Sequence, residues 1–386
     1  MNAVARSVEE ISASWTLNCD VERSLIVRMA DGVSSGQSVV LSQMLDARRV
    51  FVLTTPTVDR NYGEALRTLL RARGIEFCWN CHSLSEEQKT LASVERVCRA
   101  VQDFGLDRKG ILLALGGGVC SDIVTLSATL VRRGVQHIRI PTTLLGQVDA
   151  GIGLKGGVNF GGHKNYLGCF HPPATALIDV AYLATLAHTR IREGMAEILK
   201  MALVADRSLF DVLRRSGTSL VESRFQRPAA LGRRVVERSI ELMLKELQEN
   251  PYENRASERL ADMGHTFSPA LESASGFRLA HGEAVAIDMA FTCIIARRLG
   301  LMPAHESDAF INLLAEIGLP ICSPHLTRAL CEHAMLHIAA HRGGRLNMVT
   351  PTTIGAATFL GTEALGGTLL DGALDELRQR RECAVC

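Results

Sequence analysis

No stretch of about 18 uncharged apolar residues occurs in this 386-residue chain, which excludes a membrane-spanning helix. A dense basic block is missing too. The formal net charge is +1, with both signs spread along the chain, so nucleic acid is not an expected partner and any anion recognised is small and held locally. The opening residues, MNAVARSVEEISASW, lack an apolar signal core and predict a cytoplasmic protein. There is no internal repeat and no low-complexity linker. Eleven cysteines include two CxxC pairs, Cys78/Cys81 and Cys383/Cys386. Neither pair carries the turn residues of a zinc ribbon and the second ends the chain, which argues against a four-sulfur site. Cys120 and Cys293 lie in apolar runs and are expected in the core. What is present is a globular composition, 47% apolar and 22% charged, in a chain long enough for two domains.

Residues 50 to 173 alternate strand-like and helix-like patterns. RVFVLTT, IEFCWN, GILLALGGG and HIRIPTT read as strands. NYGEALRTLLRARG, SEEQKTLASVERVCRAVQDFG and VCSDIVTLSATLVRRG read as helices, the second opened by a Ser85/Gln88 capping pattern. Such alternation predicts an α/β fold whose parallel sheet is covered on both faces. From about residue 174 the pattern becomes mainly helical. Pro172 and Pro173 mark the expected boundary between an α/β domain, 1–173, and an α-helical domain, 174–386.

Gly116, Gly117 and Gly118 stand where a buried strand turns into a helix, a place where a diphosphate can approach backbone N–H groups. This is not the GxGxxG fingerprint, and a tight turn explains it equally well. Thr142 and Thr143 follow the next strand, again at a carboxyl end. The stretch LLGQVDAGIGLKGGVNFGGHKNYLG is polar, glycine-rich and long, and reads as a functional loop. Its Lys155, Lys164 and Asn165 suit a small phosphate. Glu193, Glu197 and Lys200 share one face of a helix with apolar neighbours, and buried carboxylates are paired or metal-bound. His265 and His281 each open a helix-like run. Together with Glu197 they would make a two-His, one-carboxylate set, one of several possibilities that spacing leaves open.

The motifs GGGVCSD, RRG, IPTTLLGQVDAGIGLKGGVN, GHKNYLG, GMAEILK, GHTFSP and HGEAVAIDM, in that order, resemble the sugar phosphate cyclases, whose best-known member is 3-dehydroquinate synthase, and the resemblance runs from about residue 50 to 360. The resemblance implies a Rossmann-like NAD domain, a helical metal-binding domain, an active site between them and a homodimer. It implies Zn2+, or Co2+, on Glu197, His265 and His281. It places NAD against Glu86, Lys89, Gly117, Gly118, Val119, Asp122, Thr142, Thr143, Lys155, Lys164 and Thr185. It places a small sugar phosphate against Asp149, Lys155, Lys164, Asn165 and Lys200, with Arg133 reaching the phosphate across the dimer interface.

Departures from 3-dehydroquinate synthase narrow the expectation. That enzyme reads LNLGHTFGH where this chain reads ADMGHTFSP, so Asp262 replaces a substrate-reading Asn and Pro269 a third histidine. A downstream lysine pair is absent, and His341 lies nearby. An added acid accepts hydrogen bonds from hydroxyls and repels a carboxylate. Asp262 and His341 are similar to the sedoheptulose 7-phosphate cyclase branch, most of all the 2-epi-5-epi-valiolone synthases. Cyclases forming 2-epi-valiolone or desmethyl-4-deoxygadusol are the near alternatives. After the first strand Thr55 stands where the family often has an acid for the ribose, which weakens discrimination against a 2′-phosphate. The implied reaction is a transient NAD-dependent oxidation, loss of phosphate, return of hydride and an intramolecular aldol closure, with no net redox change. A metal-dependent polyol or alcohol dehydrogenase is the rival of another class. Those enzymes share the two-domain plan but use an Asp ligand and lack the GLKGGVN…HKN stretch.

Overall fold

The computed structural model describes residues 24–46, 48–254, 258–341 and 346–384. Six parallel strands form one sheet: β1 (Ile26–Met29), β2 (Val50–Thr54), β3 (Phe77–Cys81), β4 (Ile111–Gly116), β5 (Gln136–Pro141) and β8 (Thr175–Ile178), in the spatial order β1-β8-β5-β4-β2-β3. β2 and β4 are buried along their whole length. Their unbroken apolar runs are what a sheet covered on both faces requires. The covering helices include α1 (Val39–Leu45), α2 (Glu64–Ala72), α3 (Leu91–Asp103) and α4 (Gly118–Leu130). The strand order reverses between β2 and β4, so the turn leaving β4 lies at the switch point where open α/β sheets bind ligands.

Three expectations change. Helix α3 starts at Leu91 with Thr90 as its cap. The Gln88 side chain still accepts from the Ser85 N–H at 3.1 Å, but this closes a local turn, because the stretch between them does not propagate as helix. The glycine-rich stretch is largely an antiparallel hairpin, β6 (Lys155–Phe160) and β7 (His163–Phe170). Gly161 and Gly162 both have positive φ, as a two-residue hairpin turn of the primed type demands. That Gly-Gly pair was the readable signal. Finally β8 follows Pro172 and Pro173 and belongs to the sheet. The prolines bend the chain into its last sheet strand, so the α/β layer runs past residue 173.

Beyond the sheet come α5 (His188–Ala205), α6 (Arg207–Glu222), α7 (Ala229–Glu249), α8 (Ser268–Ala274), α9 (His281–Arg298), α10 (Ala304–Ile317), α11 (Arg328–His341) and α12 (Gly367–Ala384), with one further hairpin, β9 (Met348–Thr353) and β10 (Ala356–Leu360). Helix α9 is buried on nearly all sides, Cys293 included, as expected of a helix that is apolar all round. Cys120 is equally buried. Cys78 and Cys81 lie on β3, while the side chains of Cys383 and Cys386 fall outside the described residues.

Glu306 ties this half together. Its carboxylate accepts from Arg207 Nη1 at 2.5 Å, from the Ile354 N–H at 2.7 Å and from the Thr353 hydroxyl. Burial raises its pKa, but these donors outweigh burial and leave it below the usual carboxylate range. A carboxylate whose folded pKa is depressed stabilises above the unfolded value and loses that stability as pH falls through the folded one. Glu306→Ala is therefore expected to cost about 2 kcal/mol at pH 7, with the deficit shrinking below about pH 4. Thermal melts of both proteins from pH 7 to pH 3 check this; a constant gap would contradict it.

Candidate functional site

Helices α5 and α9 cross unusually closely, and glycine permits it. A Cβ on Gly282 would stand 2.4 Å from the Glu193 carbonyl oxygen. This approach brings Glu197, in the middle of α5, up to His281, the first residue of α9. Glu283 secures that helix start by accepting the Ala280 N–H at 2.9 Å. His265 lies in the turn before α8 rather than at its first residue. Glu197, His265 and His281 each offer a ligand atom, and these atoms all lie within 4.8 Å of one another.

The donor chemistry fits a cation. The His265 Nδ1–H donates to the Met263 carbonyl at 3.0 Å, and the His281 Nδ1–H to Glu272 Oε1 at 2.9 Å. Each ring is thereby oriented through Nδ1 and keeps Nε2 for the centre, the usual arrangement around metal-ligating histidines. Among the described residues neither Glu197 oxygen accepts a well-formed hydrogen bond, although Lys200 lies against one and His281 Nε2 is 3.4 Å from the other. Burial works against the Glu197 charge, yet Lys200 and the two histidines hold its pKa well below normal. Burial, then Lys200, pushes His265 down to about 4. His281 opposes burial and Lys164 and rises to about 9, because the Glu197 carboxylate stands beside it and Glu272 accepts from its Nδ1–H. Asp149 is raised by burial, and the charges of Lys200, Glu197, His281 and Lys155 all reach it. Glu193, which shares the helix, turns instead to Arg190, whose Nη1 donates to both its oxygens at 2.9 Å.

Lys164 and Asn165, adjacent on β7, join this cluster to the sheet. Lys164 Nζ is 2.5 Å from Glu272 Oε2, and Asn165 Oδ1 accepts from Lys89 Nζ at 2.5 Å. Buried Lys89 also pairs with Asp122 on α4. The Asn159 side chain donates to the Glu86 carboxylate at 3.0 Å, so the Glu86–Lys89 turn is laced to the hairpin. Helix α4 begins at the switch point with no side-chain cap. The first-turn N–H groups around Gly117, Gly118 and Val119 therefore suit a phosphate oxygen of a dinucleotide. Thr142 is buried at the end of β5, and Thr143 Oγ1 accepts the Gly146 N–H at 3.1 Å. Thr185 lies farther along, its hydroxyl 2.7 Å from the Tyr62 hydroxyl.

Not every expected residue joins. Lys155 pairs with Glu253, which also holds Arg259, and Arg259 in turn pairs with Asp262. Arg133 stands exposed on the left-handed turn that ends α4. The side chain of His341 lies outside the described residues. Sequence reading missed Glu272, which grips both His281 and Lys164 and is held at about 2 by those partners despite burial. Its only signal was an acid on the short run after GHTFSP.

Residues 81–193 match the 3-dehydroquinate synthase N-terminal family and residues 194–338 the 3-dehydroquinate synthase C-terminal family. The chain belongs to the 3-dehydroquinate synthase family. A 2-epi-5-epi-valiolone synthase of Streptomyces glaucescens is 44% identical over 359 residues, covering 91% of this chain and 90% of its own. The 2-epi-5-epi-valiolone synthase of Streptomyces hygroscopicus subsp. jinggangensis 5008, solved with NAD+ and Zn2+ bound, superimposes with a TM-score of 0.90 at 39% identity, over 95% of this chain and 100% of its own. A 2-deoxy-scyllo-inosose synthase complexed with carbaglucose-6-phosphate, NAD+ and Co2+ shares the fold, with a TM-score of 0.75 at 23% identity over 91% of this chain and 96% of its own. This chain shares with these two structures its fold, a parallel sheet with flanking helices followed by a mainly helical part. Among the described residues no helix is long and apolar enough to cross a membrane.

Proposed function

We propose that this chain is an NAD- and metal-dependent sugar phosphate cyclase that converts sedoheptulose 7-phosphate to 2-epi-5-epi-valiolone with loss of phosphate. The observation that carries the reading is the convergence of Glu197, His265 and His281, both rings oriented through Nδ1, beside the cationic groups Lys200 and Lys164. The similarity to the 2-epi-5-epi-valiolone synthases supports the choice of product.

Glu197, His265 and His281 would hold Zn2+, and the first turn of α4 with Thr142, Thr143, Lys89 and Asp122 would hold NAD. Bound, these groups supply a Lewis acid and a reversible hydride acceptor. The chain supplies the rest. Lys155 and Lys164 bind the phosphate and stabilise the charge that grows as it leaves. Asp149 and Lys200 orient the hydroxyls at the reacting end. Asp262 and His341 read the remaining chain, where an acid favours hydroxyls over a carboxylate. Arg133, exposed on its turn, completes the partner's phosphate site in a homodimer. The α/β part, through β8, is the cofactor domain and the helical part the metal domain, and the enzyme works in the cytoplasm.

Purified protein incubated with sedoheptulose 7-phosphate is expected to release phosphate and form one cyclic product, with no net change in nicotinamide absorbance. A dehydrogenase would consume external NAD stoichiometrically. Cyclisation of the dehydroquinate precursor instead, or a different valiolone epimer, would reassign the substrate or product.

A further inference from the structure

Strand β5 carries a residue that its position does not call for. Ile138 and Ile140 are apolar and buried, as a central parallel strand requires. Between them Arg139 is fully buried on the opposite face. A charge placed there is costly unless its hydrogen bonds are supplied. Among the described residues it has no carboxylate partner in an ion pair, and burial pulls its pKa down to about 10. Its donors go to backbone instead. Nη1 faces the carbonyls of Gly153 at 2.7 Å, Ala150 at 3.1 Å and Gly151 at 3.4 Å, and Nη2 donates to the Lys155 carbonyl at 2.9 Å. Nη2 also donates to Thr125 Oγ1 on α4, at 2.7 Å.

The carbonyls all belong to one stretch, the segment that starts after Asp149 and ends at Lys155. That stretch, AGIGLK, holds two glycines and one fully buried apolar side chain, Ile152. Glycine-rich backbone is costly to order, and little side-chain packing restrains it here. We propose that Arg139 is a positioning residue: its guanidinium gathers the carbonyls of residues 150–155 and fixes this segment, so that Asp149 at one end and Lys155 at the other are presented to the sugar phosphate. The planar fork matters, since it addresses several acceptors in one plane, which an ammonium group does not. The part concerning the sugar phosphate rests on the function proposed above. The backbone restraint rests on the geometry of β5 alone.

The test compares wild type with Arg139→Met and Arg139→Lys by amide hydrogen exchange, metal content and turnover of sedoheptulose 7-phosphate. In Arg139→Met, exchange of residues 150–156 is expected to speed up by at least about tenfold. Strands β2 and β4 should keep their protection and bound metal per chain should be unchanged. Turnover per folded molecule should fall by about a hundredfold, the scale of a misplaced binding group. Arg139→Lys should fall between the two, and it decides the matter if the Met variant does not fold. Exchange accelerated equally across the sheet would mean a general structural role and overturn the proposal. Wild-type exchange and turnover in the Lys variant would overturn it as well. If wild-type protein does not cyclise sedoheptulose 7-phosphate, the proposed function fails while the exchange measurement still judges the role of Arg139.

Discussion

Glu197→Ala is expected to abolish both bound zinc and turnover. Two imidazoles without the carboxylate leave an incomplete set for a catalytic zinc, which ordinarily has three protein ligands. The change also strands Lys200, only 2% exposed, without the carboxylate beside it. Removing one partner of a buried pair costs about 3–5 kcal/mol, so this variant loses stability along with metal. His265→Ala separates the two effects. Among the described residues His265 donates only to a backbone carbonyl, and its removal leaves the Lys200–Glu197 pair intact. It should therefore lose zinc and activity with a smaller drop in melting temperature. Metal analysis by mass spectrometry, melting curves and product formation read all three quantities. Full zinc occupancy in either variant would show that the ligands lie elsewhere.

Gly282→Ala should be nearly as damaging, although the glycine itself binds nothing. The added methyl would lie 2.4 Å from the Glu193 carbonyl oxygen and 2.5 Å from Glu193 Cα. Backbone cannot rotate away as a side chain does, so α9 must retreat from α5. Overpacking of this kind costs about 1–3 kcal/mol. The retreat carries His281, the adjacent residue, away from Glu197, one turn along from Glu193. Ligand distances tolerate about 0.2 Å, so zinc affinity is expected to fall more than stability does. Gly366→Ala, whose added Cβ would meet no atom within 4 Å, serves as the control. Unchanged zinc affinity in Gly282→Ala would show that the two helices are not held at contact distance by this glycine.

These two experiments probe opposite kinds of information. Strands β2 and β4 could be read directly, because an unbroken apolar run bounded by turn residues has few other homes. The helices of the second half followed from their period. His265, His281 and Glu197 were legible through motif order, and helix-start chemistry placed His281 correctly. The hairpin of β6 and β7 hid inside a polar, glycine-rich stretch whose hydrophobic alternation is faint, and only its Gly-Gly turn betrayed it. Pro172 and Pro173 read as a boundary because proline breaks regular structure, yet Thr175–Ile178, just beyond them, pairs with β5 and β1.

Along the chain, periodicity and motif order determined the α/β layer, the helical half and the choice of Glu197, His265 and His281 as the proposed metal ligands. Only tertiary structure decided that Glu272 would orient His281 and hold Lys164, that Arg139 would gather the carbonyls beyond Asp149, and that Lys155 and Asp262 would join one ionic network through Glu253 and Arg259. The reason is physical. Periodicity reports which face of an element is buried, whereas a polar contact between distant segments depends on how closely two elements approach. Here that distance is set by a single glycine, Gly282, where α9 meets α5, and by the hydrogen-bond needs of groups taken out of water.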